Sequence, residues 1–406
     1  MSVVRRRCVF FVSGFDPKGA SFYHALYKQE SAKQSLINDW YFEVGARKRL
    51  EGGNSFWSIR GSQSDCDPVN THYEFMRWDD VVRQNWPQHT WTLWRDVVAT
   101  TFFNLRHGSL WQMFKLSWPP AVALFAPFVL LLMMLLGAPI LSMALGSWAV
   151  LGLQWPVWIG LVITAISLLC VVMVGRHLES RYNMYWLTRS YAFTARQALG
   201  LVPELEARLD AQARRLVERI HEQQDDEILL VAHSSGAIMA VCILARAVGL
   251  LKLQEQNGKA AHAKVSFMSL GQCIPLLANL PQAQQFRAEL SLLGQTQWID
   301  WIDFSAPPDG CCFALSDPLA LNELRPYKAP KLLSPRFAEM FESAQYRALR
   351  KDKFRMHFQY LMASDRAVDY DFFLITAADR SLATRYADAA SVVDFSGLRP
   401  FQSANL

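Results

Sequence analysis

The stretch Ile228-Leu229-Leu230-Val231-Ala232-His233-Ser234-Ser235-Gly236-Ala237 holds the key to the whole chain. A short β-favouring apolar run ends in small polar residues, and an apolar helix over Gly236–Val248 follows. Reading outward, Pro203–Gln223 places Leu205, Leu209, Leu216 and Ile220 on one helical face, with Pro203 acceptable in a first turn. Val265–Leu270 reads as a strand, Pro281–Leu293 as a helix and Thr296–Phe304 as a strand. This β-α-β-α-β rhythm predicts an α/β fold, a mostly parallel sheet with helices on both faces.

Toward the N-terminus, Arg7–Val12 is a β-branched and aromatic run that breaks at Ser13-Gly14-Phe15-Asp16-Pro17. Arg5, Arg6 and Arg7 imitate the start of a signal peptide, but the apolar run is too short for one. A buried first strand and no cleaved signal are expected. Ile37–Gly45, Ser55–Arg60 and Tyr73–Trp78 are further strand candidates, and Asp79–Trp94 is helical or irregular.

Between these halves, no Asp, Glu, Lys or Arg occurs from Leu116 to Gly175. Roughly 20 apolar residues cross a bilayer, so the run supplies two spans, placed at Pro119–Leu136 and Pro156–Val174. Gly137, Pro139, Gly146 and Pro156 suit a turn or re-entrant piece between them. Trp118, Trp148, Trp155 and Trp158 are candidate interface anchors. The other reading is a core hairpin of a soluble protein. Arg106 and Lys115 precede the run, Arg176 and Arg181 follow it, and the connection carries no basic residue. By the positive-inside tendency, both flanks face the cytoplasm. The expected division is residues 1–105 and 181–406 as two parts of one catalytic domain, with 106–180 as the inserted hairpin and its flanks.

The chain has 406 residues, 51% of them hydrophobic, and a net charge of +5. That suits a globular body with a few spans. With no basic run, zinc-ligand spacing or aromatic RNA-binding signature, no nucleic-acid partner is expected. Seven scattered cysteines without a C-x-x-C pair argue against a disulfide framework. They read as packing residues. No HExxH or Cys/His cluster suggests a metal, so neither metal nor cofactor is expected.

The segment Ala232-His233-Ser234-Ser235-Gly236 resembles the nucleophile elbow G-x-S-x-G, with alanine for the first glycine. In that respect the chain looks like the α/β-hydrolase superfamily, over both soluble parts, with the hairpin as a departure. The resemblance implies Ser234 as nucleophile, then an acid, then a histidine in chain order. Asp309, in the turn Pro307-Pro308-Asp309-Gly310, is the expected acid. Asp303 is the alternative, and Asp300 and Asp317 are weaker ones. His357 is the only histidine after Asp309 and is the expected base. His233 adjoins the serine but points elsewhere. The oxyanion hole is expected from the N–H groups of Ser235 and Phe15, with Gly14 permitting close approach.

Each residue also has a plainer reading. Ser234 or Ser235 caps a helix, Asp309 forms a turn, and His357 packs. The function implied is a membrane-anchored serine hydrolase of carboxylic esters, lipase- or esterase-like, with thioesters or acyl transfer open. Its partners are an acyl ester or lipid substrate and the bilayer. The alternative is a catalytically inactive hydrolase fold serving as a membrane scaffold. A transporter is disfavoured, since two spans without a charged residue mark no pathway.

Overall fold

The structure is a computed structural model that describes residues 3–64, 66–87, 89–182, 184–256, 264–319 and 328–392. Nine strands make one sheet: β1 (Arg6–Val12), β2 (Tyr41–Val44), β3 (Lys48–Arg49), β4 (Ser55–Ser62), β5 (Val69–Phe75), β6 (Glu227–His233), β7 (Val265–Leu270), β8 (Ile299–Phe304) and β9 (Lys331–Leu333). Their order is β2-β4-β5-β1-β6-β7-β8-β9, with β3 paired to β4. The neighbours from β5 to β9 are parallel, while β2, β3 and β5 run antiparallel to β4. The sheet is therefore mixed and mostly parallel, with helices on both faces, an α/β architecture.

Both faces of the central strands are covered, which is why β1 and β6 read as unbroken apolar runs rather than alternating ones. Cys8, Phe10, Val12, Ile228, Leu230 and Ala232 join the core under helices Pro203–Glu222, Gly236–Gln256 and Gln284–Gln295. Val9, Phe11, Leu229 and Val231 point the other way, toward Tyr23, Tyr27, Phe373 and Tyr360. Arg7, from the triplet that imitates a signal peptide, is fully buried in the sheet. Its Nε donates to Glu227 at 2.6 Å, and its other nitrogens donate to the carbonyls of Ala378 and Arg380. Breaking such a buried pair costs on the order of 3–5 kcal/mol, because one charge is left uncompensated.

Strand order fixes where a site can lie. After β1 the chain builds β2 to β5 on one side of it, and β6 to β9 on the other. The chain thus changes direction between β1 and β6. In open α/β sheets a crevice forms at such a point, beyond the carboxyl ends of the strands. Here those ends are the Ser13–Pro17 turn and Ser234.

From Thr90 to Ala198 the described chain is helical apart from short turns, and the expected boundary at residue 105 falls inside helix Thr90–Arg106. Among the described residues, three helices are long and apolar enough to cross a membrane: Trp118–Leu151, Val157–Leu178 and Gly236–Gln256. The third is packed inside the protein, every residue from Gly236 to Ala245 being buried. The other two pair as a hairpin whose outer face exposes Ile140, Met143, Leu161, Ile166 and Met173. A soluble core hairpin would hide these side chains.

The first span differs from the one expected. It does not end at Leu136, and residues 137–151 are neither turn nor re-entrant loop. The helix continues to Leu151 through a π-helical turn at Met133–Gly137. Pro139 follows that turn; the wider turn relieves the clash a proline makes with the carbonyl four residues back. Gly146 lies at the crossing with the second helix: a Cβ there would meet Thr164 Oγ1 at 2.0 Å and the Gly160 carbonyl at 2.5 Å. Small residues thus let the two backbones touch. The reversal is confined to Gly152–Pro156. The basic flank residue Arg181 has a side chain outside the described residues.

Candidate active site

Ser234 follows the last residue of β6 with φ +59°, in the left-handed region that side chains avoid. Its N–H donates to the Leu270 carbonyl at 2.9 Å, which ties the turn to β7. Two glycines create the space. A Cβ on Gly236 would lie 2.5 Å from the Ser13 carbonyl, and one on Gly14 would lie 3.0 Å from Ser234 Cβ. The β1 turn and the elbow therefore touch backbone to backbone.

Asp309 and His357 meet. His357 Nδ1 lies 2.8 Å from Asp309 Oδ2, so Nδ1 carries the proton and Nε2 is left as the basic nitrogen. Tyr360 Oη donates to the same carboxylate oxygen at 3.1 Å, and the Cys311 N–H donates to Oδ1 at 3.0 Å. Burial alone would push the Asp309 carboxyl up. The charge of His357 and these hydrogen bonds outweigh it and hold the group below the usual carboxylate range. Gly271, at φ +53°, clears the ground: a Cβ there would sit 2.7 Å from the Tyr360 ring and 3.1 Å from Asp309 Oδ2.

Asp303, the alternative acid, is not part of this group. It accepts from Ser269 Oγ at 2.6 Å and Ser305 Oγ at 2.7 Å, inside the sheet. Burial pushes it up to about 7 despite these bonds. Asp300, at the edge, pairs with Lys328.

His233 has a role that its position beside the serine did not disclose. Its Nε2 donates to the main-chain carbonyl of His357 at 2.8 Å. Burial, then the charge of His357, push it down to about 3, so it stays neutral and positions its neighbour.

The two expected oxyanion donors differ in state. Ser235 N–H has no hydrogen-bond partner among the described residues, whereas Phe15 N–H donates to Ser235 Oγ at 2.8 Å. The Phe15 amide is thus not free; the hydroxyl of Ser235 caps it. Two indoles pin this turn by its carbonyls, Trp78 Nε1 on Ser13 and Trp186 Nε1 on Phe15, each at 2.9 Å.

Ser234, His357, Ser235 and Gly14 all line one cavity of about 470 Å³. Ser234 Oγ lies 3.7 Å from Cys273 Sγ and makes no hydrogen bond to His357 among the described residues. Burial pushes the Cys273 thiol up to about 12, and Cys311 and Cys312 well above the ordinary thiol range. Burial thus favours the protonated thiol in all three, whereas a cysteine attacks as the thiolate. Asp309, Cys311 and His357 bring ligand atoms within 4.8 Å of one another, a grouping hidden by their sequence separation. Within that group His357 Nδ1 and Asp309 Oδ2 are hydrogen-bonded to each other.

One wall of the cavity was not foreseen as such. Trp118, Pro119, Val122, Ala123 and Ala126, from the first turns of the first span, line it. Ala121 and Leu124 of this helix, with Leu116 just before it, share a core cluster with Cys273, Leu276 and Phe313.

Comparison with known protein families, curated proteins and solved structures gives no match. The functional reading therefore rests on the geometry of the chain itself.

Proposed function

We propose that this chain is a membrane-anchored serine hydrolase of α/β-hydrolase-like architecture that cleaves carboxylic esters, or thioesters, through an acyl-enzyme on Ser234. One observation carries it. A serine strained at the carboxyl end of a central strand shares a cavity with a buried Asp309–His357 pair, and they occur in the chain order Ser, Asp, His. In this mechanism His357 Nε2 removes the Ser234 proton as Oγ attacks the substrate carbonyl. The ester C–O bond breaks, and His357 returns the proton to the leaving oxygen. Water, deprotonated by His357, then cleaves the acyl-enzyme and releases the acid. Asp309 keeps the Nδ1 tautomer and offsets the positive charge on the ring. Ser235 N–H stabilises the oxyanion. The reaction needs no metal or cofactor.

The hairpin anchors the enzyme in the bilayer. Since β1 and β6 are neighbours in one sheet, both ends of the insertion open on the same side. The basic flanks support a cytoplasmic location for that side.

The distance between Ser234 and Cys273, rather than His357, favours a second reading, an inactive hydrolase fold serving as a membrane scaffold. Labelling of isolated membranes with a fluorophosphonate probe separates the two. The hydrolase labels, and Ser234→Ala and His357→Ala do not. An unlabelled wild-type protein refutes the hydrolase and leaves the scaffold.

A further inference from the structure

Resting on the hydrolase reading of Ser234, we propose that the substrate is a phospholipid of the surrounding bilayer, with its phosphate on Arg350 and Lys353 and its acyl chain along the Trp118–Ala126 face of the first span.

The cavity has two chemically unlike sides. Trp118, Val122, Ala123 and Ala126 form one stripe of the first span, and the two alanines leave room beside the helix. That helix is 34 residues long, about 51 Å at 1.5 Å per residue, against roughly 30 Å of bilayer hydrocarbon. Its first turns can therefore stand against the catalytic half while the remainder crosses the membrane. An acyl chain that follows the stripe from bilayer to Ser234 stays in apolar contact throughout. A route through water would cost it roughly fourfold in partitioning per methylene.

Arg350 and Lys353, both exposed, also line the cavity, and neither has an ion-pair partner among the described residues. Asp352, between them in sequence, turns its carboxylate to the Arg355 N–H at 3.0 Å. Asp16, also at the cavity, is buried and accepts from Tyr23 Oη and the Lys18 N–H. Asp309 is taken by His357 and Tyr360. A third cation, Lys18, sits 4.2 Å from the Phe22 ring centre, beside Phe354 and Phe358 of the cavity wall. Arg350 and Lys353, cations of an otherwise largely apolar lining, complement an ester that carries both a long chain and an anionic phosphate. The guanidinium fork suits phosphate oxygens, and the ammonium adds a point charge.

In the proposed step, the acyl carbon bonds to Ser234 Oγ and the glycerol oxygen departs with the proton from His357. Water then releases the fatty acid. The products are one fatty acid and one lysophospholipid.

The full chain in proteoliposomes would be given phosphatidylglycerol or diacylglycerol of identical acyl composition, with fatty-acid release measured. Phosphatidylglycerol should be preferred at least tenfold in kcat/KM. In Arg350→Ala/Lys353→Ala that preference should fall toward one, mainly through KM, and in Arg350→Lys/Lys353→Arg it should survive. Ala123→Trp should slow long-chain substrates relative to p-nitrophenyl butyrate by at least tenfold. Equal use of both lipids by the wild type overturns the proposal. So does a preference that survives the double alanine change, or faster cleavage of a water-soluble, phosphate-bearing acyl thioester than of the bilayer lipid. A wild type that labels with fluorophosphonate yet ignores the phosphate fails this proposal alone. One that neither labels nor cleaves any ester fails the hydrolase reading, and the proposal with it.

Discussion

His233 Nε2 donates to the main-chain oxygen of His357, 124 residues away, at 2.8 Å. The residue beside the proposed nucleophile thus fixes the backbone of the proposed base, and it does so only while neutral. The group is held down to about 3, against 6.5 when unfolded, so the unfolded chain binds the extra proton between those values. Stability from this site is complete above pH 6.5 and declines as pH falls toward 3. The loss reaches about 2 kcal/mol by pH 5, at about 1.4 kcal/mol per unit. A pH series of thermal melts on wild type and His233→Asn should show the acid slope in the first and a flatter one in the second. Parallel slopes would show that His233 is not the source.

Asp303 should behave in the opposite sense. Its folded value, about 7, lies above the ordinary 3.8, so the native state holds the proton longer. Its contribution is complete below pH 3.8 and is lost as pH rises through 7. Asp303→Asn should therefore stabilise the protein at pH 8 by a few kcal/mol, and fluorophosphonate labelling should continue. A lower Tm at pH 8 would contradict the protonated assignment.

Asp309→Asn should lower the labelling rate by about 10³–10⁴-fold, because an amide no longer enforces the proton on Nδ1 or offsets the ring's charge. Comparing it with Asp303→Asn decides which aspartate is the acid. Equal rates in the two variants would remove Asp309 from the mechanism.

Ser234 is held in the left-handed region at a cost of about 1–3 kcal/mol. Ser234→Gly should abolish labelling and raise Tm, whereas Ser234→Ala abolishes labelling without that gain. If the glycine variant melts lower than the alanine variant, the strain is not there.

Gly236→Ala should disrupt the site from the backbone. Its Cβ would press on the Ser13 and Val12 carbonyls at 2.5 and 2.6 Å, for a loss of about 1–3 kcal/mol and of labelling. Wild-type melting and labelling would show that the contact between the β1 turn and the elbow is slack.

The legible parts of the chain were those where one-dimensional pattern and packing coincide. Pro203–Gln223 was read and Pro203–Glu222 is observed, because its apolar stripe is its buried stripe. The strand read at Arg7–Val12 begins one residue earlier. Helix Ala20–Gln34 leaves no periodic signature in the sequence, since it buries Glu30, Ser31 and Gln34 beside Tyr23 and Tyr27 and so shows no apolar face. Tyr73–Trp78 was read too late. The strand starts at Val69 and buries Thr71 and Glu74, with Glu74 held by Arg215 from a helix more than a hundred residues on. Partners so remote leave no local signature. The same applies to the site. Ser234 was visible from its neighbours and His357 from its uniqueness, but the Ser235 hydroxyl on Phe15 N–H and the Trp118–Ala126 wall exist only once distant segments meet.

The pairing of β1 with β6, Arg7 opposite Glu227, sets a schedule for biosynthesis. The central strand of the sheet leaves the ribosome 220 residues before the partner that covers its edge, a wait of roughly 10–45 s at 5–20 residues per second. During that interval the hairpin emerges and can enter the bilayer, while an apolar strand stands with one edge open, a template for wrong pairing. Chains halted before Glu227 should therefore aggregate or recruit chaperones, and entry of the hairpin into the bilayer becomes the first committed step of folding rather than an event added to a finished domain.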